Sequence, residues 1–190
     1  MKRYKLPENI KDRVKDLFKR TIAWSAEKGI IKKSNLEKQL IYYGAELGEL
    51  CDAYLKGNKE EVIDGIGDSL VTLVNSAYFM AEKAKIGFDD FTDLFCDTLQ
   101  PFFKGEQRHE YFTSVEESTF EEVLSFQLSI DPTHIGFIDW AIYNLISLEM
   151  KLTEEYNLDS FEFLGSLEMA LKVIEARKGK MENGVFMKEN

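Results

Sequence analysis

Two neighbouring segments carry the clearest alternation of apolar and polar positions in the chain. In the first, apolar residues recur every three or four positions, the spacing of one helix face; they are Leu36, Leu40, Tyr43, Leu47, Leu50 and Tyr54. In the second, residues 62–79 are apolar on nearly every side, as in a buried helix. Gly57-Asn58 between them suits a tight turn, in which glycine ends one helix and asparagine caps the next. The pattern predicts an antiparallel pair of helices over residues 35–56 and 59–85.

Helical periodicity continues through most of the remaining chain. Residues 104–118 are the least periodic stretch and are predicted to form a loop. Two segments match the capping-box pattern that opens a helix, Ser34-x-x-Glu37 and Ser118-x-x-Glu121. The further helices are expected over about 7–28, 88–103, 118–128 and 135–152, with a last one capped by Asp159. The predicted class is therefore all-α, a helical bundle with the carboxylate-bearing helix pair at its centre.

The length of 190 residues is typical of a single domain with a sizeable core. We predict one domain over 1–190, which contains the helix pair, an extra helical region over 86–158, and a C-terminal helix with a basic tail over 159–190. The extra region is expected to surround the core or to form an oligomer interface.

Charge and composition narrow the possible partners and location. The formal net charge of −10 argues against a nucleic-acid or anionic membrane surface. The N-terminus lacks an apolar targeting region, and no apolar run reaches the length of a membrane span. The two cysteines form no recognisable disulfide framework or zinc motif. These features predict a soluble, cytoplasmic protein.

Carboxylates lie on both central helices where packing alone would favour other residues. Glu46 and Glu49 are three positions apart and share a face. On the second helix one polar stripe about 60° wide contains Glu61, Asp64, Asp68, Thr72 and Asn75. No lysine or arginine lies between Lys59 and Lys83 to neutralise this stripe. Since gathered carboxylates repel unless cations lie between them, the pattern predicts a site for a hard metal ion, most simply Mg²⁺, with Mn²⁺ as the alternative.

Other interpretations of these polar residues were weighed. A pair such as Glu46 and Glu49 is usually a solvated helix face, and Glu61 also fits a capping box opened by Asn58. Glu106-x-x-His109 has the spacing of a di-iron carboxylate motif, but such a site needs the motif on each of two long helices. Because this single copy falls in the predicted loop, the di-iron interpretation is disfavoured.

The carboxylate segments resemble a known signature. The sequences AELGE at residues 45–49 and DGIGD at residues 64–68 are similar to the E-E-x-x-E and E-x-x-D motifs of the all-α nucleoside triphosphate pyrophosphohydrolases of the MazG type. The first motif usually begins with a glutamate, and Ala45 stands at that position here. The second motif also usually begins with a glutamate, and Gly65 stands at that position. Either Asp64 takes the place of the missing glutamate, or Glu61 and Asp64 form the E-x-x-D pair themselves.

The end of the chain carries a second resemblance. RKGKMENGVFMKE at residues 177–189 is similar to the ending of small phage and bacterial members of the same group. By physical reasoning alone, Arg177, Lys178 and Lys180 complement the negative end of a helix dipole. The resemblance implies instead that they contact a triphosphate, supplying charge that the acidic helices cannot.

The resemblance implies hydrolysis of a nucleoside triphosphate to the monophosphate and pyrophosphate. Glu46, Glu49 and Asp68 would be catalytic and would bind Mg²⁺ together with Asp64 or Glu61. A deoxynucleotide is favoured as substrate, with the purine deoxynucleotides as candidates. The remaining candidate substrate contacts are Lys38, Tyr42, Asn75 and Trp24. A homo-oligomer, dimer or tetramer, is expected. The alternatives are a dUTPase or a phosphoribosyl-ATP pyrophosphohydrolase, or, outside enzymes, a non-catalytic acidic helical adaptor.

Overall fold

The computed structural model describes residues 8–104, 118–129, 136–156, 162–176, 179–182 and 185–188; of residues 98–104 and of the last two segments it describes the backbone alone. The described helices are α1 Ile10–Glu27, α2 Ile30–Lys33, α3 Leu36–Leu55, α4 Lys59–Ala84, α5 Phe88–Lys104, α6 Phe120–Ser129, α7 Phe137–Glu155 and α8 Gly165–Ala176. They are followed by strands β1 Gly179–Glu182 and β2 Val185–Lys188. The predicted all-α class is confirmed for the body of the chain.

The hairpin of β1 and β2 was not predicted. The two strands pair antiparallel, with Gly179 opposite Lys188 and Glu182 opposite Val185. The sequence carries a signal for it that was missed, because Asn183-Gly184 is the dipeptide most favoured in two-residue hairpin loops. The predicted basic tail is therefore partly a β-hairpin.

Helix α4 lies at the centre of the fold. It packs against α1, α3, α5, α7 and α8, and its most extensive contact is with α3. Every residue from Ser69 to Ala77 is buried, as expected for a helix that is apolar on nearly all sides. The sequence prediction of a buried second helix is confirmed.

Two glycines let the neighbours of α4 approach its backbone. A Cβ atom at Gly65 would lie 3.0 Å from the Cα of Leu50 in α3. A Cβ atom at Gly67 would overlap the carbonyl oxygen of Ser166 in α8 and would lie 2.9 Å from the Cβ of Ala170. The separations of α3 and α8 from α4 therefore depend on these two positions.

The predicted starts of α3 and α6 were each wrong by one residue. In α3 the N-cap is Asn35, whose side chain accepts a hydrogen bond of 2.9 Å from the backbone N–H of Lys38. The hydroxyl of Ser34, the predicted cap, instead accepts a hydrogen bond from Gln39. The capping box of α6 is formed by Thr119 and Glu122, which bond reciprocally at 2.8 and 3.2 Å. Neighbouring residues with similar capping chemistry cannot be separated by pattern alone.

The start of α8 also differs from the prediction. The helix begins at Gly165, directly after Leu164, whose φ of 56° is left-handed. A buried carboxylate from α7 stabilises this end, because Glu149 accepts a hydrogen bond of 2.9 Å from the Gly165 N–H. Asp159, the predicted cap, lies outside the described residues.

Helix α1 holds α8 in place through charged contacts. Arg13 donates to Glu168 at 2.6 Å, and this contact is the main reason that the pKa of the Glu168 carboxyl is lowered. At the C-terminal end of α8, Arg20 makes two parallel hydrogen bonds to Glu175 at 3.0 and 2.9 Å. Such bidentate pairs fix orientation as well as adding energy. The C-terminal end of α8 is thus anchored to α1.

No helix in the described ranges combines the length and the apolar character that crossing a bilayer requires.

Candidate functional site

A pocket of about 480 Å³ lies between α3 and α4 and brings together the predicted metal ligands. Its described lining consists of Ala45, Glu46, Gly48, Glu49, Asp52, Glu61, Asp64, Gly65 and Asp68. All five carboxylates that the sequence analysis selected are in this set. Two separate helices therefore contribute acidic side chains to one cavity.

Helical geometry explains why these side chains share a pocket. Residues three apart on a helix differ by about 60° in direction and by about 4.5 Å along the axis, so Glu46, Glu49 and Asp52 form an inclined row on α3. Glu61, Asp64 and Asp68 form a matching row on α4. The innermost members, Glu46 and Asp68, are half-buried, whereas the other four are exposed. The two rows form the walls of an acidic cleft.

Asp52 is a lining residue that the sequence analysis missed. The available signal was its spacing, since it continues the three-residue series of Glu46 and Glu49. Its carboxylate forms an ion pair of 2.5 Å with Lys56. The pKa of Lys56 is raised, first by the hydrogen bond to Asp52 and, more weakly, by the charge of Glu61. Lys56 is thus a cation at the edge of the cleft, although it does not line the pocket.

The structure explains the glycine at position 65. Because a Cβ there would already press on Leu50, a glutamate at this position would have to push α3 away from α4. Asp64 and Glu61, the two candidates to replace the missing glutamate, both line the pocket. Each of them can therefore contribute an oxygen ligand.

The chemistry of the pocket fits a hard divalent cation, although the side chains do not converge. No lysine or arginine is among its described lining residues, and its ionisable groups are all carboxylates. In the part of the chain that the structure describes, no three His, Cys, Asp or Glu side chains are close enough together to hold a metal ion. Oxygen ligands of this type are those that Mg²⁺ prefers.

The predicted substrate contacts on α3 lie before the acidic row. Lys38 is exposed in the first turn of the helix, and Tyr42 is half-buried one turn before Glu46. Neither residue lines the pocket. Their predicted role in substrate binding is untested.

Two other predicted contacts, Asn75 and Trp24, make hydrogen bonds inside the protein. Asn75 is 2% exposed and accepts a hydrogen bond of 2.7 Å from the hydroxyl of Ser25 in α1. The indole N–H of Trp24 donates to the carbonyl oxygen of Ile174 at 2.8 Å, near the C-terminal end of α8. These contacts give both residues a structural role. Neither residue lines the acidic pocket.

The basic residues of the tail cannot be placed at the pocket. Arg177 and Lys178 lie outside the described residues. Lys180 belongs to β1, where the backbone alone is described.

Replacing Trp24 with phenylalanine is expected to lower the free energy of unfolding by about 1 kcal/mol. The ring would still pack, but a carbonyl oxygen in the last turn of α8 would lose its donor. Urea unfolding monitored by circular dichroism measures the change. A variant as stable as the unmodified protein would show that the indole N–H does not support α8.

A second pocket, of about 500 Å³, differs from the acidic cleft in its charge balance. The stacked rings of Tyr54 and Phe120 lie 4.6 Å apart at their centroids and form part of its wall. Its carboxylates lie beside a lysine, Lys151, which is 3.9 Å from Glu154. Because that lysine offsets part of the negative charge, this pocket has less need of a bound cation than the α3–α4 pocket.

Comparison with known proteins adds one short similarity. No family model matches the chain, and no solved structure matches it. A protein of Haemophilus phage HP1 (strain HP1c1), described as an uncharacterized 18.2 kDa protein in the rep-hol intergenic region, is 31% identical to this chain over 61 residues. That alignment covers 32% of this chain and 37% of the phage protein. The chain is therefore similar, over about a third of its length, to a phage protein whose description gives no activity.

Proposed function

We propose that the α3–α4 pocket binds Mg²⁺ and hydrolyses a nucleoside triphosphate to the monophosphate and pyrophosphate. The observation that carries the proposal is the lining of the pocket, in which six carboxylates from two helices face one cavity and no basic residue is among the described lining residues. Such a concentration of negative charge is costly unless cations bind. The resemblance of residues 45–49 and 64–68 to the MazG-type motifs supplies the reaction.

The relative direction of α3 and α4 supports this assignment. Leu50 lies against Gly65, and at the connection the N–H of Asn58 donates to the carbonyl oxygen of Ala53 at 3.0 Å. Each of these contacts joins a residue before Gly57 to a residue after it, as expected for two antiparallel helices joined by a tight turn. That arrangement would place Glu46 across from Asp68, and Glu49 near Asp64. The two rows would then supply oxygen ligands from both walls of the cleft.

Within this mechanism the chain positions the reactants. Glu46, Glu49 and Asp68, with Asp64 and Glu61, would hold Mg²⁺. When bound, the metal would lower the pKa of a coordinated water and neutralise charge on the phosphates. Glu46 or Glu49 would accept the proton of the attacking water. The water oxygen would bond to the α-phosphorus as its bond to the bridging oxygen breaks, and that oxygen would leave with pyrophosphate.

Recognition of the triphosphate needs cations from elsewhere in the chain. The basic residues of the tail, Arg177, Lys178 and Lys180, are our candidates, because the chain continues directly from the anchored end of α8 into this segment. A deoxynucleotide is the favoured substrate.

The test is release of pyrophosphate from a panel of ribo- and deoxynucleoside triphosphates with phosphoribosyl-ATP included. Release that requires Mg²⁺, stops with EDTA and yields the monophosphate is the expected result. Preference for dUTP would indicate a dUTPase, and preference for phosphoribosyl-ATP would indicate a phosphoribosyl-ATP pyrophosphohydrolase. If no nucleotide releases pyrophosphate with Mg²⁺ or with Mn²⁺, the proposed enzymatic activity is refuted and a non-catalytic acidic helical adaptor is favoured.

Replacing Lys178 with alanine is expected to lower kcat/KM about tenfold or more, because a charge-assisted contact contributes about 1.5–3 kcal/mol. The effect should be larger for triphosphates than for binding of the monophosphate product. Lys83→Ala, at an exposed position in the last turn of α4, is the matched control and should leave the kinetics unchanged. If Lys178 only complements the helix dipole, its replacement would cost up to about 1 kcal/mol of stability and leave kcat/KM unaltered.

A further inference from the structure

A lysine lies at the edge of the acidic cleft, where α3 ends. Lys56 is the C-cap of α3, and its backbone N–H donates to the carbonyl oxygen of Asp52 at 3.1 Å. Its ammonium group is 2.5 Å from the carboxylate of Asp52, one turn earlier on the same helix. The pKa of Lys56 is raised first by the hydrogen bond to Asp52 and also by the charge of Glu61 on α4. Lys56 therefore lies close to carboxylates of both acidic rows, at the end where the two helices are joined.

The ion pair makes the two ends of the cleft different. Asp52 lines the pocket together with Glu46 and Glu49, the earlier members of the same row. Those two residues lie about 15 and 10 Å before Lys56 along the helix axis, whereas Asp52 lies about 6 Å before it. A divalent ion that took Asp52 as a ligand would have to displace the lysine ammonium and lie beside a like charge. An ion bound further along the cleft would meet neither obstacle.

The pair is too exposed to contribute much to the stability of the fold. The side chains of Lys56 and Asp52 are 64% and 62% exposed, and their spacing is that of a helix-surface pair. Such pairs stabilise a helix only weakly, because water screens the charges and two long side chains lose freedom. The effect on a metal ion is larger, because the ion must both break the pair and approach the ammonium group. The role of Lys56 is therefore to be measured in metal binding.

We propose that Lys56 reserves Asp52, so that a divalent ion binds further along the cleft, nearer to Glu46 and Asp68. Lys56 is a positioning residue in this scheme, since it acts on the ion through Asp52 and need not touch the nucleotide. The inference rests on the metal site of the proposed function but not on hydrolysis. It concerns binding of the metal ion alone, so it is testable even if no nucleotide is hydrolysed.

Titration of the whole chain with Mn²⁺, without nucleotide, is the test, and electron paramagnetic resonance measures the free Mn²⁺. In about 0.2 M KCl, charges more than about 7 Å apart are largely screened. Lys56→Met keeps the length of the side chain and should lower the Kd for Mn²⁺ about tenfold, because the ion no longer breaks the pair or meets a like charge within about 5 Å. Lys56→Arg, which preserves the charge, should keep the Kd of the unmodified chain. Lys83→Met, at an exposed position in the last turn of α4, is the control for net charge and should also keep that Kd.

A double-mutant cycle tests whether Lys56 acts through Asp52. In the Asp52→Asn background there is no ion pair to break, and the exposed lysine can turn towards solvent. Adding Lys56→Met to that background should therefore change the Kd by less than about threefold. Circular dichroism should show the same helix content in every variant.

The outcomes separate this inference from the proposed function. The inference alone is refuted if the unmodified chain binds Mn²⁺ and Lys56→Met leaves the Kd unchanged. It is also refuted if the full effect of Lys56→Met persists in the Asp52→Asn background, because the lysine would then act by its charge alone. If neither the unmodified chain nor Lys56→Met binds Mn²⁺, the metal site of the proposed function is refuted together with the inference.

Discussion

Replacing Asp68 with asparagine should abolish Mg²⁺-dependent pyrophosphate release while leaving the unfolding temperature unchanged or slightly raised. Asparagine keeps the size of the side chain and removes one negative charge from a cleft whose described lining includes six carboxylates. Less repulsion in the metal-free protein favours the folded state. Loss of a metal ligand should lower the rate by more than about a hundredfold, because partners outside the ligand shell already contribute about 10- to 100-fold.

The control for this experiment is Glu82→Gln, an exposed position on the same helix and outside the pocket. It removes the same charge and should leave both the rate and the unfolding temperature unaltered. The measurements are the initial rate of pyrophosphate release at saturating Mg²⁺ and calorimetry in EDTA. If Asp68→Asn lowers the unfolding temperature but keeps the full rate, Asp68 supports the fold and takes no part in the reaction.

Replacing Gly67 with alanine should destabilise the fold by about 1–3 kcal/mol, the range for overpacking a well-packed interior. The added methyl group would overlap the carbonyl oxygen of Ser166 and press on Ala170. Both obstacles belong to α8, and one of them is backbone, so no side-chain rotation can relieve the overlap. Since α1 holds α8 through Arg13 and Arg20, the strain should spread to the contacts of α1.

Gly44→Ala is the matched control, because it makes the same substitution on an exposed helix face. With open space around position 44, alanine should raise the free energy of unfolding by about 0.5–1 kcal/mol through its higher helix propensity. Equilibrium unfolding in urea, at one low protein concentration for all variants, measures both changes. If Gly67→Ala is as stable as the unmodified chain, α8 does not approach α4 as closely as the structure indicates.

Periodicity and turn chemistry determined the central helix pair from the sequence. The turn at Gly57-Asn58 was predicted, and Gly57 has a φ of 67°, which suits glycine, while Asn58 caps α4. The buried character of α4 followed from its apolar residues on all sides. These features are local, so they need no knowledge of distant segments.

The sequence also determined which carboxylates share a helix face. It could not show which part of a polar stripe lines a pocket and which part is buried against another helix. Asp64, Asp68 and Asn75 lie on one stripe of α4. The first two line the pocket, while Asn75 is buried against Ser25 of α1. A helical wheel gives the direction of a side chain around its own axis. It does not give the identity of the neighbour met in that direction.

Only the tertiary structure decided which residues meet across helices. The fit of Gly65 against Leu50, the contact of Trp24 with Ile174 and the position of Asp52 in the cleft each depend on a second segment. Residues 24 and 174 are so far apart in the sequence that no spacing rule relates them. Their contact follows from the packing of whole helices, which depends on the summed shape of many side chains. The sequence thus determined the central helix pair and its acidic faces, and tertiary packing determined which of those faces enclose a pocket.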